Sequence, residues 1–578
     1  MEHNERKVII MKDEYIMGLH IGHDRGVAII KNGALVCALS QERIDKIKYS
    51  ISAKLPFDTI DVVLKYLGIS ISDISFIGIT YDVSEIFIYL DYVKESFQAY
   101  YGISVPMIPL GHHLAHAYST ACAFAQENSL IFVADGGGHV IGDKAEAESL
   151  FLFTKTGITP LENRKQDILR HDMKEAFNHN YAFMSDCIKN MQISIGRKYE
   201  QFTHLLGFGF GEAGKTMGLA SYGKSLIDFS SLNVHDFSFS LTYAELLFDL
   251  HIKKNNSSAK SFLEYLEVER VNIAATVQAF TEKVMLSLVN NYSKKYGIDK
   301  MCFAGGVFLN CLLNTRIKED SGLKDTFIFP AAGDDGQAIG AACYVYNFLH
   351  NEHAKIPNLP YIGIDYSTQE IEKTLQEKGL NYTYINDNNK LATIVAKLIY
   401  ENKIVGIHRG RTEIGPRALC HRSLLANPSN PDMKNILNKR IKYREPFRPF
   451  APVVTEEHCS DIFNINTPSP FMLLAPSVNE KYKSLIPSVV HVDNTARVQS
   501  ISKESDSFLH NLLCETSKLI GVPVLLNTSF NVNKQPIVES PTVAIETFVR
   551  ENIDALVIGN FLVADKKQRN HVDSYQYF

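Results

Sequence analysis

The feature that most constrains the fold is a pattern of strands and glycine turns that occurs twice in the first third of the chain. The first copy, YIMGLHIGHDRGVAIIKNGALVCALS at 15–40, predicts three short apolar strands joined by tight turns. Its second turn is Asn32-Gly33, a hairpin signal because both residues tolerate positive φ. The second copy, SLIFVADGGGHVIG at 129–142 with AESLFLFTKTGITPLE at 147–162, repeats the order around an acidic glycine turn. The repeat predicts two similar α/β halves that face each other across a cleft.

Two further glycine turns close this region. MCFAGGVFLN at 301–310 predicts a strand, a Gly305-Gly306 turn and the start of a helix. TFIFPAAGDDGQAIGAACYVY at 326–346 predicts a strand, a turn with two aspartates and a helix of small residues. Each alone is equally compatible with an ordinary tight turn. Together with the hairpin turns they predict four loops on one edge of an α/β architecture, where ligands usually bind.

The length of 578 residues favours two or three domains, because a single core of that size is uncommon. The segment HNEHAKIPNLPYIGIDYS at 350–367 has little periodicity and is interpreted as a linker. We therefore expect a first domain over 1–356 and a second α/β domain over 357–578.

Composition excludes several classes of protein. The net charge of -5 gives no reason to expect nucleic acid or a membrane surface as a general partner. The nine cysteines form no C-x-x-C pair, which argues against a zinc ribbon or a disulfide framework and for a reducing compartment. The first residues lack an apolar stretch of signal-peptide length, and no apolar run approaches a membrane span. These observations predict a cytoplasmic enzyme.

A cluster of histidines at GHHLAHAYST, 111–120, suggests a metal site. If this segment is helical, His112 and His116 lie on one face at i and i+4, whereas His113 points about a quarter-turn away. The glutamate of a HExxH protease motif is absent. An isolated HxxxH is more often a pair of core histidines. Asp135 and Asp334, in two acidic glycine turns, would complete a site for iron, manganese or zinc.

Other candidate residues lie in turns and in a basic block. His23 in the first turn, with Lys48 following, is a candidate general base. The span 403–448 holds eleven Lys and Arg against three acids, interleaved with Gly, Pro and Phe. This pattern favours a pocket for a small polyanion over a solvated patch that binds duplex nucleic acid. Arg497 and the polar turn at 527–531 are candidates for the same pocket.

Motifs along nearly the whole chain resemble those of the NodU/TobZ-like O-carbamoyltransferase family. The strings are HD at 23–24, ER…K at 42–48, HHLAHAYSTA at 112–121, DGGG at 135–138, GKTMGLASYG at 214–223, AGGVFLN at 304–310, GDDGQAIGAA at 333–342, GRTEIGPRAL at 410–419, REPFRPFAP at 444–452, TARVQ at 495–499 and NTSFN at 527–531. The combination is specific to that family.

The resemblance implies a duplicated N-terminal domain of actin-like ATPase (ASKHA) fold and a C-terminal YrdC-like α/β domain. It implies that the second domain forms carbamoyl-adenylate from carbamoyl phosphate and ATP, with Mg²⁺ accompanying the nucleotide. The first domain would then pass the carbamoyl group to a hydroxyl of a small-molecule acceptor, a natural product or a sugar. Fe(II), or another divalent metal, is the implied ion of the first domain.

Site residues follow from the resemblance position by position. His112, His116, Asp135 and Asp334 are the implied metal ligands, and His23 and Lys48 the implied catalytic residues beside them. The glycine turns with Gly136 and Gly137, and with Gly305, Gly306 and Asn310, are the implied nucleotide contacts. The implied carbamoyl phosphate and ATP site consists of Arg417, Lys442, Arg448, Arg497, Asn527 and Ser529, with Lys442 and Arg448 in catalytic roles.

The chain departs from the family pattern at a few positions: Arg25, Ile407, His408, Arg409, Cys420, His421, Lys534 and Gln535. Those in the second domain are expected to tune nucleotide contacts. Arg25 suggests an acidic or phosphorylated acceptor.

Three other functions remain alternatives at this stage. A threonylcarbamoyl enzyme acting on tRNA would use the same modules, but the net charge argues against it. A hydrogenase-maturation carbamoyltransferase would need C-x-x-C pairs that this chain lacks. A nucleotide-binding sensor without transferase activity would need no complete ligand set. The sequence leaves open the acceptor, the metal and whether the protein is a homodimer.

Overall fold

The structure is a computed structural model that describes residues 13–52, 54–81, 86–167, 192–232, 234–237 and 266–564. The N-terminal residues that bear on a signal peptide, and Cys187, lie outside the described residues. The described part of the chain forms three mixed sheets with helices between and around them. This arrangement confirms the predicted α/β class.

The first sheet is built from the first predicted repeat. Its strand order is β3-β2-β1-β4-β5, with β1 to β3 antiparallel and β4 and β5 parallel to β1. Asn32 and Gly33 have φ values of 49° and 80° and form the predicted hairpin turn. The strands are β1 (Tyr15–Ile21), β2 (Gly26–Lys31), β3 (Ala34–Ser40), β4 (Ile74–Tyr81) and β5 (Met107–Pro109).

The second sheet repeats the topology of the first. Its strands are β6 (Ser129–Ala134), β7 (Val140–Ile141), β8 (Lys144–Phe153), β9 (Ile158–Asp167), β10 (Lys300–Ala304) and β11 (Asp325–Ile328). The order β9-β8-β6-β10-β11 has the same antiparallel and parallel pairings as the first sheet, with β7 added beside β8. The prediction of two similar halves is confirmed.

Helices pack between and beside these two sheets. They are α1 (Glu42–Asp45), α2 (Phe57–Leu67), α3 (Ile86–Tyr101), α4 (His112–Phe124), α5 (Ile195–Leu205), α6 (Ala213–Ala220), α7 (Arg270–Tyr296), α8 (Cys311–Asp320) and α9 (Gln337–His350). Helix α9 contacts both β1 and α4. The approach needs glycine, because a Cβ on Gly340 would lie 1.8 Å from the carbonyl oxygen of Ala115. Helix α4, which carries the histidine cluster, is therefore held against α9.

We expect Gly340→Ala to destabilise the protein by about 2–4 kcal/mol, because the added methyl group forces α4 and α9 apart in a close-packed core. Differential scanning calorimetry checks this as a lowered Tm. Gly214→Ala is the matched control, because the same methyl group on helix α6 would have no atom within 4 Å. An equal loss in both variants would contradict the packing account.

The third sheet lies in the second half of the chain and has eight strands. The order is β12-β19-β18-β13-β14-β17-β15-β16. The strands are β12 (Thr383–Tyr384), β13 (Val405–His408), β14 (Arg422–Ala426), β15 (Ala451–Thr455), β16 (Gln499–Ile501), β17 (Val524–Ser529), β18 (Ala555–Ile558) and β19 (Phe561–Val563). The sequence did not predict this order, which mixes parallel and antiparallel neighbours.

Apolar clusters cover both faces of the third sheet. One face packs against α11 (Asn388–Tyr400) and α15 (Ser507–Ile520). The opposite face packs against α10 (Thr368–Glu377), α12 (Met433–Leu437), α13 (Glu456–Ile462) and α16 (Pro541–Arg550). The short helix α14 (Glu480–Lys483) completes the described helices. None of the helices in the described residues is long and apolar enough to span a membrane.

Hydrogen bonds join the two halves of the chain. Arg411 Nη2 donates to the carbonyl oxygens of Val36 and Ile362. Arg43 Nη2 donates to the carbonyl oxygen of Gly415 at 3.1 Å. The backbone at Ile362 also accepts from the amide of Ala38 on β3. The predicted linker is therefore irregular but bound to the first sheet, and the boundary at 356 stays a prediction.

Candidate metal centre and anion site

The four predicted metal ligands come from three separate elements. Helix α4 begins at His112 and presents His112 and His116 one turn apart. Asp135 follows the end of β6, and Asp334 lies in the turn between β11 and α9. Because α9 packs against α4, the Asp334 turn, which precedes α9, lies next to the histidines.

These side chains meet in a small buried space. His116 Nε2 lies 2.9 Å from Asp135 Oδ2 and 3.1 Å from Asp334 Oδ1. His112 Nε2 lies 3.2 Å from the same Asp334 oxygen. One ligand atom from each of the four residues lies within 4.8 Å of the others. The predicted convergence of these residues is therefore present in the structure.

His113 is turned away from the cluster, as the helical spacing predicted. Its Nδ1 lies 2.7 Å from the hydroxyl of Ser149 on β8. Burial lowers the pKa of His113 to about 4, so this imidazole is neutral at ordinary pH.

The imidazoles and carboxylates of the cluster shift each other's pKa values in opposite directions. Burial alone would lower the pKa values of His112 and His116, but the adjacent carboxylates outweigh it and raise both. Burial alone would raise the pKa values of Asp135 and Asp334, but the imidazoles hold both below their ordinary range. The carboxylates are thus anionic and ready to bind a cation.

The donor set fits a divalent transition metal. Two imidazole nitrogens and two carboxylate oxygens suit iron, manganese or zinc. His112 Nε2 is buried and makes no hydrogen bond among the residues that the structure describes, although Asp334 lies within ion-pair distance. The four side chains together therefore offer a donor set for one cation.

His23 lies at the edge of this cluster. Its Nε2 is 3.2 Å from Asp334 Oδ2, and its Nδ1 is 3.1 Å from Asp24 Oδ2. Burial raises the pKa of Asp24 to about 6. Lys48 lies nearby on an exposed turn, its amine 4.7 Å from the centre of the Tyr49 ring. Desolvation by the surrounding protein lowers the pKa of Lys48, and Arg448 adds to the effect.

The glycine turns line the backbone around Asp135. The amide of Gly136 donates to Asp135 Oδ1 at 2.6 Å. A Cβ on Gly306 would lie 3.1 Å from that oxygen, and one on Gly305, which has a φ of 97°, would strike the carbonyl of Ala134. Asn310 caps helix α8, its Oδ1 accepting from the amide of Leu313 at 3.1 Å. Its predicted nucleotide contact stays a prediction.

Gly137 also has a tight environment, because a Cβ there would lie 2.7 Å from Gln166 Nε2. The carbonyl oxygen of neighbouring Gly136 accepts from Gln166 Nε2 at 3.0 Å and from the hydroxyl of Ser194 at 2.8 Å. The DGGG turn is thus fixed on its outer side by protein contacts.

The basic block at 403–448, together with Arg497, forms a cluster of partly buried cations. Burial lowers the pKa of Arg497 to about 9, and repulsion from Arg417 and Arg448 adds to the effect. Arg417 Nε and Arg497 Nε are buried without a hydrogen-bond partner among the described residues. Clustered, desolvated guanidinium groups with open donors favour binding of a small anion.

Arg444 belongs to this cluster and was not among the predicted site residues. Burial, with repulsion from Arg448 and Arg497, lowers its pKa to about 9. Its Nε donates to Asn438 Oδ1 at 3.0 Å, and its guanidinium lies 4.3 Å from the centre of the Phe450 ring. The sequence signal that could have identified Arg444 as a site residue is its position in the REPFRPF string.

Three predicted members of the anion site are engaged with protein atoms. Lys442 Nζ donates to Asn531 Oδ1 at 2.8 Å and to the carbonyl and hydroxyl oxygens of Ser529, so it holds the 529–531 turn. Asn527 Nδ2 is buried and donates to Gln499 Oε1 at 2.8 Å. These contacts show a structural use for Lys442 and Asn527, and their roles towards a substrate stay predictions.

Residues in and beside the cation cluster contact the first half of the chain. Arg417 Nη2 donates to the carbonyl of Leu309, just after the Gly305-Gly306 turn, at 3.3 Å. Lys215 bridges Glu212 and Glu445 with two 2.7 Å ion pairs. A cleft between α6 and the second half of the chain includes Met217, Phe447 and Arg497 in its lining.

Arg25 corrects a prediction about the acceptor. All three of its side-chain nitrogens are used within the protein: Nε donates to the carbonyl of Ser50 at 2.8 Å, Nη1 to that of Lys54, and Nη2 to Asp45 and the Ser50 hydroxyl. The side chain is buried. Arg25 therefore fixes the 45–54 turn and gives no support for an anionic acceptor, which stays a prediction.

The second-domain departures mostly have structural explanations too. Ile407 is buried in the core, and His408 Nε2 lies 2.7 Å from the carbonyl oxygen of Glu539. Arg409 stacks on Phe508 at 3.9 Å, and the ring of His421 stacks on Tyr361 at 3.6 Å. Two others have left-handed backbone conformations, Cys420 with φ 79° and Lys534 with φ 64°. Tuning of nucleotide contacts by these residues stays a prediction.

Comparisons with known proteins identify the family. The family model described as carbamoyltransferase N-terminus matches residues 104–343, and the one described as carbamoyltransferase C-terminus matches residues 396–565. The nodulation protein NolNO of Sinorhizobium fredii is 30% identical, covering 94% of this chain and 79% of its own length. Nodulation protein U of Rhizobium tropici is 28% identical and covers 90% and 91%. The chain belongs to the carbamoyltransferase family and is a carbamoyltransferase enzyme.

Two other similarities give no further information about the activity of this chain. The Synechocystis protein sll1178, whose name gives no function, is 31% identical and covers 94% of this chain and 96% of its own length. Among solved structures, full-length HypF in a phosphate- and nucleotide-bound form covers 60% of this chain and 57% of its own, with a TM-score of 0.42 and 16% identity. A likeness of that size carries no conclusion about this chain.

Proposed function

We propose that the protein is an ATP-dependent O-carbamoyltransferase that works in two steps. The first step converts carbamoyl phosphate, ATP and water into carbamoyl-adenylate, pyrophosphate and phosphate. The second transfers the carbamoyl group to an acceptor hydroxyl and releases AMP. The observation that supports this most is the presence in one chain of a cluster of four metal-type ligands and a cation cluster in which Arg417 Nε and Arg497 Nε have no hydrogen-bond partner among the described residues.

We assign adenylate formation to the second domain, which we propose to be YrdC-like. Carbamoyl phosphate and ATP are both polyanions, and their repulsion opposes the reaction. Arg417, Arg444, Arg448 and Arg497 would offset that repulsion by binding the phosphoryl oxygens in a desolvated site. Lys442 would keep the Ser529 turn in place to meet them.

We assign transfer to the first domain, whose two matching sheets support an actin-like duplicated fold. His112, His116, Asp135 and Asp334 would hold the Fe(II) or another divalent ion, which supplies Lewis acidity towards the carbamoyl carbonyl. His23 would take the proton from the acceptor hydroxyl, while Asp24 beside Nδ1 orients its ring. Lys48 would bring positive charge to the phosphoryl group of AMP.

Two reaction sites in one chain would have a chemical advantage. Carbamoyl-adenylate is a mixed anhydride that water destroys. Sites that meet within one chain limit its exposure to solvent before transfer. Arg417 of the cation cluster contacts the carbonyl of Leu309, which follows the Gly305-Gly306 turn of the first half of the chain.

Mass spectrometry tests the proposal. Purified protein with ATP, Mg²⁺, carbamoyl phosphate and a panel of small-molecule alcohols should yield a product in which CONH₂ replaces one hydroxyl proton. AMP and pyrophosphate should form in step with it. Omitting carbamoyl phosphate should stop both. Release of AMP without carbamoyl phosphate, or modification of bulk tRNA instead of small alcohols, would contradict the proposal.

Removal of the metal is expected to stop only the second step. After exhaustive chelation the protein should lose carbamoyl transfer, while pyrophosphate release dependent on carbamoyl phosphate continues with Mg²⁺ supplied. Transfer should return on addition of Fe(II) under anaerobic conditions. Parallel assays of pyrophosphate and carbamoylated product check this. Normal transfer by a fully chelated sample would contradict the assignment of the four ligands.

A further inference from the structure

The turn that carries Lys48 contains three non-glycine residues with positive φ. Lys46, Tyr49 and Ser50 have φ values of 63°, 64° and 40°. Residues with a Cβ are disfavoured in this region, so such a conformation persists only where surrounding contacts hold it. Three of these residues within five positions show that the turn, 45–52, depends on support from elsewhere in the fold. We call 45–52 the Lys48 turn.

Arg25 supplies this support. The residue is 5% exposed, so its guanidinium is used inside the protein. Nε donates to the carbonyl oxygen of Ser50 at 2.8 Å, and Nη1 donates to that of Lys54. Nη2 donates to the Ser50 hydroxyl at 2.7 Å and to Asp45 Oδ2 at 3.2 Å. One guanidinium therefore binds the chain on both sides of Lys48.

Asp45 extends the support to the residues beside Lys48. Its Oδ1 accepts from the backbone amide of Ile47 at 2.9 Å, and its Oδ2 accepts from the hydroxyl of Ser50. The amide of Ser50 donates to the carbonyl oxygen of Ile47 at 2.9 Å and closes the chain around Lys48. The backbone position of Lys48 thus depends on the contact between Arg25 and Asp45.

The Lys48 turn is also bound to the hairpin turn that carries His23. The amide of Asp24 donates to the carbonyl oxygen of Tyr49 at 2.6 Å. Arg25 is the next residue of the same hairpin turn. Hydrogen bonds therefore join His23 and the Lys48 turn into one unit of structure.

The Lys48 amine lies close to a charge of the cation cluster. Desolvation by the surrounding protein lowers the pKa of Lys48, and the positive charge of Arg448 lowers it further, whereas Glu42 opposes the change. The amine is 4.7 Å from the centre of the Tyr49 ring. A long side chain in this place is useful in a reaction only if its backbone is fixed, because lysine otherwise has many rotamers.

We propose that Arg25 is a positioning residue for carbamoyl transfer, which holds the Lys48 turn so that the Lys48 amine meets the reacting groups. The inference rests on the proposed function, in which Lys48 brings positive charge to the phosphoryl group of AMP. A preorganised cation stabilises a transition state more than one that must first be ordered. Because the chain departs from the family pattern at Arg25, this support belongs to the present chain.

Arg25→Gln should lower carbamoyl transfer about 30-fold to 100-fold, because a displaced amine no longer meets the phosphoryl group. Pyrophosphate release dependent on carbamoyl phosphate should stay within about twofold of wild type, since the cation cluster is unchanged. Arg25→Lys should lose only about threefold to tenfold, because an ammonium group can still donate to the Ser50 carbonyl. Transfer by Arg25→Gln at the wild-type rate would overturn the proposal.

A double-mutant cycle with Lys48→Ala separates positioning from a general loss of structure. If Arg25 acts through Lys48, Arg25→Gln should lower the transfer rate of the Lys48→Ala variant by no more than about twofold, because both changes remove the same contribution. Losses that multiply would show that Arg25 acts in another way and would overturn the proposal.

Arg164→Gln is the matched control for the cycle. Arg164 is also 5% exposed, and its guanidinium likewise binds a carboxylate and a backbone carbonyl. Nη1 donates to Glu148 at 2.7 Å, and Nη2 donates to the carbonyl oxygen of Ile193 at 2.8 Å. Any effect of this variant on transfer should multiply with that of Lys48→Ala.

Hydrogen exchange followed by mass spectrometry tests the turn without the reaction. In Arg25→Gln the amides of 46–52 should exchange at least about tenfold faster than in wild type, while those of helix α4 stay unchanged. Arg164→Gln should leave the exchange of 46–52 as in wild type. Asp45→Asn weakens the same pair without removing the buried guanidinium. It should change exchange and transfer in the same direction by about twofold to fivefold, which keeps the test decisive if Arg25→Gln does not fold.

The two readouts distinguish failure of this inference from failure of the proposed function. If the wild-type protein makes no carbamoylated product, the proposed function fails, and the exchange of 46–52 still decides whether Arg25 holds the turn. If the wild-type protein transfers carbamoyl groups but the exchange of 46–52 is unchanged in Arg25→Gln, the inference alone fails.

Discussion

His116→Ala should abolish carbamoyl transfer while leaving adenylate formation largely intact. The imidazole of His116 contacts both Asp135 and Asp334, so its loss removes one of the proposed metal ligands and leaves two adjacent carboxylates in repulsion. We expect transfer to fall on the order of 10³-fold. Pyrophosphate release dependent on carbamoyl phosphate should stay within about twofold of wild type, because the cation cluster is unchanged. The two activities are measured on one sample, as product by mass spectrometry and as pyrophosphate by a coupled assay.

His113→Ala is the matched control for this experiment. The residue lies on the same helix and is equally buried, but its Nδ1 contacts Ser149 instead of the carboxylates. It should keep most of its transfer activity. A parallel loss in both variants would show that the effect is structural. Loss of both activities in His116→Ala would contradict the division of the two steps between two sites.

Arg497→Gln should lower adenylate formation by about 10²–10³-fold. Its guanidinium is desolvated among other cations, and its Nε lacks a hydrogen-bond partner in the described part of the chain. A desolvated guanidinium binds an anion strongly because the anion neutralises its charge. The uncharged amide of Gln cannot bind an anion in this way. Without substrate, the variant should be as stable as wild type or more so, since removing one charge relieves repulsion. A pyrophosphate-release assay measures adenylate formation, and calorimetry with and without pyrophosphate measures the stability of the variant.

Arg440→Gln is the control for the loss of one arginine from the same block. Arg440 is about one-third exposed, and its Nη2 pairs with Asp554 at 3.0 Å, away from the cluster. Its adenylate formation should be normal. If Arg497→Gln forms adenylate at the wild-type rate, or if pyrophosphate stabilises both variants equally, the cation cluster is not the anion site.

The duplicated topology and the metal cluster were predictable because both rest on local signals. The residue types of the Asn32-Gly33 turn indicate the positive φ values that the turn adopts. The two acidic turns follow strands of one sheet, β6 and β11. His112 and His116 share a face of α4 by spacing alone. Where a backbone pattern sets the direction of a side chain, the sequence is sufficient.

The uses of Arg25, Lys442 and Asn527 were not predictable in the same way. Each depends on acceptors that are distant in sequence, such as the Ser50 carbonyl, the Asn531 amide and Gln499. An arginine or lysine in a motif does not show whether its donors face a ligand or the protein. Tertiary contacts decide this, and they show that the donors of Arg25 face the protein.

The contact of Phe210 with His23 was not predictable for a related reason. A phenylalanine between glycines indicates a loop, and nothing nearby in the sequence connects it to His23, which lies in the first hairpin turn. The contact exists because Tyr49 and Glu200 bind the Gly211 backbone from two separate elements. The order of the third sheet was likewise set by long-range pairing that the strand sequences do not encode individually.

A Co²⁺ titration of chelated protein tests the central claim most directly, namely that four side chains bind one divalent cation. The wild-type protein should take up one equivalent, with visible d–d absorption of an ordered site, and His113→Ala should behave identically. Asp135→Asn and His116→Ala should each lose this uptake. Uptake by the latter two variants equal to that of wild type, or no stoichiometric uptake by wild type, would contradict the account.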